Sequence, residues 1–270
     1  FFDKYNVKVE PIYYEVFSKA VPDLASEQID GGTYILGDAL SISLHTEVNV
    51  IALSDDGGLT HIIANSAIQT PKDLRGKSIG VEIGSAYELL VIEMLKREGI
   101  SMRETKLVDV DAENVPAKIA EGIIQAGLTW EPYTSEALGS GNRTIFSSEE
   151  VPGLFANSIV VRSALFKERP ADVANYLKAW FEAVEFRKNN LFESNQIIAE
   201  KIGISLAELS EDCRLFTLED NLDLYQAKPK NYNLSVYDLA QLNVDSFVRS
   251  GKLSILPDLR QLFISTYLGQ

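Results

Sequence analysis

The sequence predicts an α/β fold of two lobes around a cleft. Three observations carry that expectation. Apolar strand-like runs alternate with helix-like stretches through most of the chain, the pattern of β-α units with mostly parallel sheets. Two such sets are joined by crossings near residues 65–75 and 150–160, so the chain leaves one lobe, builds a second and returns. From Pro170 onward the pattern is helical. The 270 residues are too many for one small core and suit two modest domains.

The elements follow in order. FFDKYNVKVEPIYY reads as the end of a helix, a turn and an alternating strand around Val7, Val9 and Ile12. The β-α unit expected before FFDKYN is missing. EVFSKAVPDLASEQIDGG reads as an amphipathic helix that ends near Gly31 and Gly32. TYILGDALSISLH gives a short strand, a turn at Gly37 and a helix, and NVIALS and LTHIIANS are strands. Thr70 caps a short helix whose first residue is Pro71, and Lys77–Val81 is a strand. Gly84 and Ser85 turn that strand into a helix with Leu89, Leu90, Ile92 and Leu95 at helical spacing. LVDVDAENVPAKIAEGIIQAGLTWEPY repeats strand, helix, strand; TIFSS and NSIVVRSALF are further strands. Ser205 and Glu208 form a capping box among the C-terminal helices.

Composition excludes several classes of function. The net charge of −14 argues against nucleic acid, whose binding needs a basic surface. One cysteine, Cys213, allows no internal disulfide, and two histidines leave little for zinc. No apolar run approaches the roughly 20 residues that span a bilayer. No basic and apolar leader opens the chain, so a signal peptide is expected to be removed or never present. No Ser-His-Asp set, phosphate loop or metal motif stands out, so no cofactor is expected. Asp109 and Asp111 lack the rest of a calcium loop and read as solvated.

Leu74-Arg75-Gly76-Lys77-Ser78-Ile79-Gly80-Val81 with Gly84-Ser85 resembles a segment of the solute-binding proteins of ABC transporters. The group it is most similar to takes nitrate, sulfonates, taurine or thiamine-pyrimidine precursors. QIDGG…LGDAL, KIAEGIIQAGLTWEPYTSEAL, VPGLFANSIVVRSALFKERPADVANYLKAWFEAVEF and the helical C-terminus agree in order, so the resemblance covers nearly the whole chain. It implies the type II, bilobal periplasmic-binding-protein fold. Residues 1–70 plus 156–270 would form the first lobe, lacking its first strand, with the helical C-terminus packed on it; residues 71–155 would form the second. It also implies a monomeric, extracytoplasmic protein that closes on a small molecule and hands it to an ABC permease, or a ligand-sensing domain fused to a membrane protein. An enzyme of pyrimidine synthesis is the other class in the family, but those synthases carry a cysteine-rich run that this chain lacks.

Candidate ligand contacts lie at strand-to-helix junctions, where unpaired N–H groups converge. Ser85, Ala86 and Tyr87 form one junction and Asp38 the matching one; both also suit simple caps. Trp130 offers a stacking face and Glu131 an acceptor, against a hinge-packed ring and a solvated acid. Asn157, Tyr14 with Tyr13, and His61 complete the set, while Trp180 and Phe181 read as core. Two acids and no arginine at these junctions point to a neutral or cationic, flat, nitrogen-bearing ligand such as an aminopyrimidine. An organic sulfonate or carboxylate held by Ser85 and helix amides is the alternative.

Overall fold

The computed structural model describes residues 1–14, 19–151, 153–203, 205–206, 209, 213–249, 251 and 255–269. Its strands form two sheets. The first has the order β1-β8-β2, with β1 Gly31–Ile35, β2 Val48–Asp55 and β8 Asn157–Arg162. The second has the order β5-β4-β6-β3-β7, with β3 Thr60–Ala64, β4 Ser78–Val81, β5 Lys106–Asp109, β6 Ala126–Trp130 and β7 Arg143–Ser147. The helices are α1 Ala20–Ala25, α2 Leu36–Ser43, α3 Glu88–Arg97, α4 Val115–Ala120, α5 Tyr133–Gly139, α6 Leu165–Glu168, α7 Pro170–Asn189, α8 Leu191–Ile202, α9 Leu218–Leu224, α10 Val236–Arg249 and α11 Leu259–Leu262.

The pairings correct the sequence-based expectation in three places. β3 pairs with β6 and β7, with His61 opposite Thr129 and Ser147. The first crossing between sheets therefore lies at 56–59, ahead of the expected 65–75. The second falls between β7 and β8, in the expected region. Parallel pairing is confined to β5-β4-β6; β8 runs against both β1 and β2, and β3 against both its neighbours. A returning strand that crosses from the other sheet need not obey the parallel rule of βαβ units. Finally, Val7–Tyr14 forms no ladder with any strand. Its alternation of apolar residues is real, but strand formation requires a hydrogen-bonded neighbour. The expected helix at 15–31 is seen only as α1, residues 15–18 lying outside the described set, as does the Glu208 half of the predicted capping box.

Burial explains the element order. All eight residues of β2 are buried, which fits its continuous apolar run. The main core joins both sheets: Leu53 and Val160 from the first share it with Ile79 and Leu128 from the second. Helix α3 contributes Leu89, Leu90, Val91, Met94 and Leu95 to it. A smaller cluster of Ile63, Val110, Val115, Ile119, Ile124 and Ala137 brings in side chains of α4 and α5. Close approach demands glycine at Gly127, where a Cβ would meet Val115 Cγ1 at 2.8 Å.

The C-terminal segments close the free side of β2. Phe263 bridges to Val50, Leu215 bridges to Asp55, and the Asn221 side chain donates to Leu53 O at 3.0 Å while accepting from Leu53 N at 2.7 Å. The helical C-terminus thus packs on the first sheet. The opposite edge, β1, has no strand beyond it among the described residues.

Candidate functional site

A cavity of about 1200 Å³ lies between the two sheets. Its first wall is β1 with Val7–Tyr14, backed by Ile159–Val161 of β8 and by Leu165, Val173 and Tyr176. Its second wall comes from strand ends of the other sheet: Glu82 after β4, Asp111–Glu113 after β5, and Trp130 and Tyr133 around the end of β6, with Tyr87. Strand C-termini converging on one crevice is the placement expected of a ligand site in an open α/β sheet.

The second wall is held from within. Gly84 has φ +95°, a left-handed turn that a side chain would strain, and it carries the chain from β4 toward α3. Asp109 Oδ1 accepts from Ile83 N at 2.9 Å, and Glu88 Oε2 accepts from Gly84 N at 3.3 Å. Thr129 Oγ1 donates to Ala112 O at 2.8 Å, which ties the acidic loop to β6. The Ala112 N–H acts on the Glu82 carboxylate and favours its ionised form. Burial, and then Asp111, raise the Glu82 pKa, with Asp109 and Glu113 adding to it and the Ala112 N–H opposing.

Three aromatic rings stack in line. Tyr87 lies 4.9 Å from Trp130 and 5.7 Å from Phe155, at interplanar angles of 30° and 29°. The Phe155 ring is buried, whereas Tyr87 and Trp130 are half-buried and face the cavity. Burial holds the Tyr87 hydroxyl protonated well above its usual range, and the charges of Asp38, Glu82 and Asp55 push the same way. At the first wall, burial pushes Asp30 up, but Arg169 and Arg162 outweigh it and hold the carboxyl below its usual range. Arg169 is engaged with Asp30, and buried Arg162 reaches Asp30 at 2.9 Å and Glu27 at 3.1 Å.

Of the expected contacts, Tyr13, Tyr14, Tyr87 and Trp130 line the cavity. Tyr14 is partly engaged, since its hydroxyl donates to Asp23 Oδ2 at 2.6 Å. The other six do not line it. Asp38 Oδ1 accepts from Ala86 N at 3.0 Å, so this pair joins α2 to the turn before α3 and uses the amide once expected to meet a ligand. The Ser85 hydroxyl donates to Glu82 O at 2.8 Å and accepts from Tyr87 N, the local-cap alternative. Glu131 Oε2 accepts from Ser135 N at 3.1 Å and caps α5. Asn157 Nδ2 donates to Asp55 Oδ1 at 2.7 Å. His61 sits within β3, between β6 and β7. Sequence reasoning did not single out Glu82, Glu113 and Tyr133, which line the cavity; Asp111, read as a solvated loop residue, is exposed and lies at the cavity's rim. The available signal was that acids directly follow two neighbouring parallel strands, VEIGS after β4 and VDVDAEN in β5.

The family model described as NMT1/THI5 like matches residues 1–190. The chain belongs to the NMT1/THI5-like family. A Brucella abortus protein that carries the general name of a binding protein is 25% identical over 264 residues, spanning 92% of this chain and 77% of the relative. A Bacillus subtilis protein named for binding aliphatic sulfonates is 26% identical over 208 residues, 74% of this chain and 61% of the relative. Among solved structures, the alkanesulfonate-binding protein SsuA from Xanthomonas axonopodis pv. citri, bound to MOPS, superimposes with a TM-score of 0.74 at 17% identity, covering 94% of this chain and 87% of that one. The fold of this family member is that of periplasmic binding proteins. Among the described residues no helix is long and apolar enough to cross a membrane.

Proposed function

We propose that this protein is an extracytoplasmic solute-binding protein that captures a small, flat, nitrogen-bearing molecule between its lobes and delivers it to an ABC permease. The observation that carries the reading is the Tyr87–Trp130 aromatic pair, half-buried at the cavity wall between converging strand ends. We take the lobes to be the two sheets with their helices, which exchange the chain at 56–59 and again between β7 and β8. Closure of one lobe on the other would enclose the ligand, in the manner of hinged bilobal receptors. The reading is one of binding rather than turnover.

A second reading has its own support. Relatives named for aliphatic sulfonates and taurine match more than half of this chain, so an organic sulfonate is the competing ligand class. A thermal-shift panel of aminopyrimidines, amines and alkyl or aryl sulfonates separates the two, because a ligand that binds only the folded state raises its melting temperature with concentration. Stabilisation by aminopyrimidines with the compound recovered unchanged is expected. Stabilisation by sulfonates alone would establish the second reading, and chemical conversion of a bound compound would remove both.

A further inference from the structure

The two chain connections between the sheets are fastened to each other, and one of them backs the cavity wall. The first connection is residues 56–59 and the second joins β7 to β8. On the side of the second sheet, the Ser148 hydroxyl donates to Gly58 O at 3.1 Å and accepts from Thr60 N at 3.0 Å. On the side of the first sheet, Asp55 Oδ1 accepts from Gly57 N at 2.9 Å and from Asn157 Nδ2 at 2.7 Å. Between these ties the backbones touch: a Cβ on Gly57 would lie 2.1 Å from Phe155 O, far inside van der Waals contact. Gly57 also has φ +88°, a second reason that only glycine fits. The segment ahead of α9 joins the same clasp, with Asp56 N donating to Arg214 O at 3.1 Å and Arg214 N donating to Asp56 Oδ1 at 3.0 Å. Phe155 carries the clasp to the cavity. Its backbone packs on Gly57, and its buried ring stacks on Tyr87, which stacks in turn on Trp130. Neither Asp55 nor Phe155 lines the cavity, so their part is to hold the residues that do. Close-packed contacts of this kind pass a displacement from one end to the other.

We propose that Phe155 is a positioning residue for the Tyr87–Trp130 pair, and that Asp55, by gripping both connections, sets where Phe155 stands. The angle between the sheets and the shape of the cavity wall are then one variable. Rotation about the clasp shifts the rings, and a solute that shifts the rings rotates the sheets. That last consequence rests on the solute-binding reading above; the coupling of clasp to rings does not.

The test needs no solute. The chain's two tryptophans are Trp130 and Trp180, so a Trp180→Phe background leaves Trp130 as the sole tryptophan reporter. Near-UV circular dichroism and emission wavelength are recorded in that background for Phe155→Leu, Asp55→Ala and Asn157→Ala. Leu24→Ala is the control, a buried position in α1, which packs on β1. The first three are expected to diminish the Trp130 near-UV band and shift its emission to the red. Leu24→Ala is expected to lower the melting temperature and leave both signals unchanged. Should Asp55→Ala fold poorly, Asn157→Ala reads the same contact, and Asp55→Asn, which keeps an oxygen acceptor, is expected to retain most of the signal. The reciprocal arm is amide exchange. Tyr87→Leu removes the ring against Phe155, and is expected to speed exchange of the Gly57 N–H about fivefold or more. Unchanged Trp130 spectra in the folded clasp variants, an equal change in Leu24→Ala, or unchanged exchange at Gly57 in Tyr87→Leu would each overturn the positioning role. Solute binding would stand in all three cases.

Discussion

The two walls of the cavity are built differently. The second wall presents side chains, Glu82, Tyr87 and Trp130, and the loops that carry them are fixed by Asp109, Glu88 and Thr129. The first wall is built from β1, an edge strand, and from a segment that pairs with no strand among the described residues. Positions supported by their own hydrogen bonds can recognise a ligand without reordering, which is where binding selectivity accumulates. A backbone edge offers amides and carbonyls to anything of the right spacing and discriminates little. On the solute-binding reading proposed above, selection would belong to the second wall, and variants on the two sides should behave differently.

The largest expected effect tests whether the walls share one foundation. Leu90 is fully buried in the core that joins both sheets. Leu90→Ala should cost about 2–5 kcal/mol in a denaturant titration, with unfolding still a single transition. Two separated transitions would mean that the sheets unfold independently. Next comes Asp38, which ties α2 to Ala86. Asp38→Ala should cost about 1–3 kcal/mol by leaving the buried Ala86 N–H without its acceptor, while the order of preference among charged probes stays as in the parent chain. A reversal of that order would return Asp38 to the ligand.

Trp130→Ala removes the stacking partner of Tyr87, and should weaken binding of a planar probe about tenfold, near the upper range of an aromatic pair. An unchanged affinity would take the aromatic face out of the site. The smallest effect is thermodynamic and needs no ligand. The folded-state pKa of Glu82 is raised, so the ionised carboxylate disfavours folding once pH exceeds its unfolded value. Below that value the group is protonated in both states and contributes nothing. Glu82→Gln should therefore raise the melting temperature by about 1 °C at pH 7, and the gain should vanish near pH 4. A loss of stability at pH 7 would show that Glu82 is stabilised in place rather than held at a cost.

Much of the fold was legible because periodicity is a local property. The β4–α3 unit follows directly from SIGV, the turn at Gly84 and the helical spacing of Leu89, Leu90 and Leu95. Strand partners were less legible, since nothing within THIIA states that β3 pairs with β6 and so belongs to the second sheet. The site followed the same division. Trp130 and Tyr87, singled out as large aromatic residues at strand ends, do line the cavity. Asp38, Ser85 and Glu131 were expected at the ligand because short polar side chains at helix starts suit ligands and caps equally. In the structure Asp38 accepts from Ala86 N across elements, while Ser85 and Glu131 bond locally to Glu82 O and Ser135 N. Glu82 was not singled out because its burial and its acidic neighbours from the chain after β4 are not visible in VEIGS.

The edge of β1 has a consequence for handling this protein in solution. Among the described residues, Gly31–Ile35 ends the first sheet without a neighbouring strand, and residues 7–14 line the cavity on the same wall. An open edge is a template for another chain, and proteins commonly blunt it with charge, proline or a covering segment. Here the covering segment supplies all three in Lys8, Glu10 and Pro11. Trimming residues 7–14 from this chain is therefore expected to favour edge-to-edge assembly, read as β-rich aggregates that grow as the concentration rises.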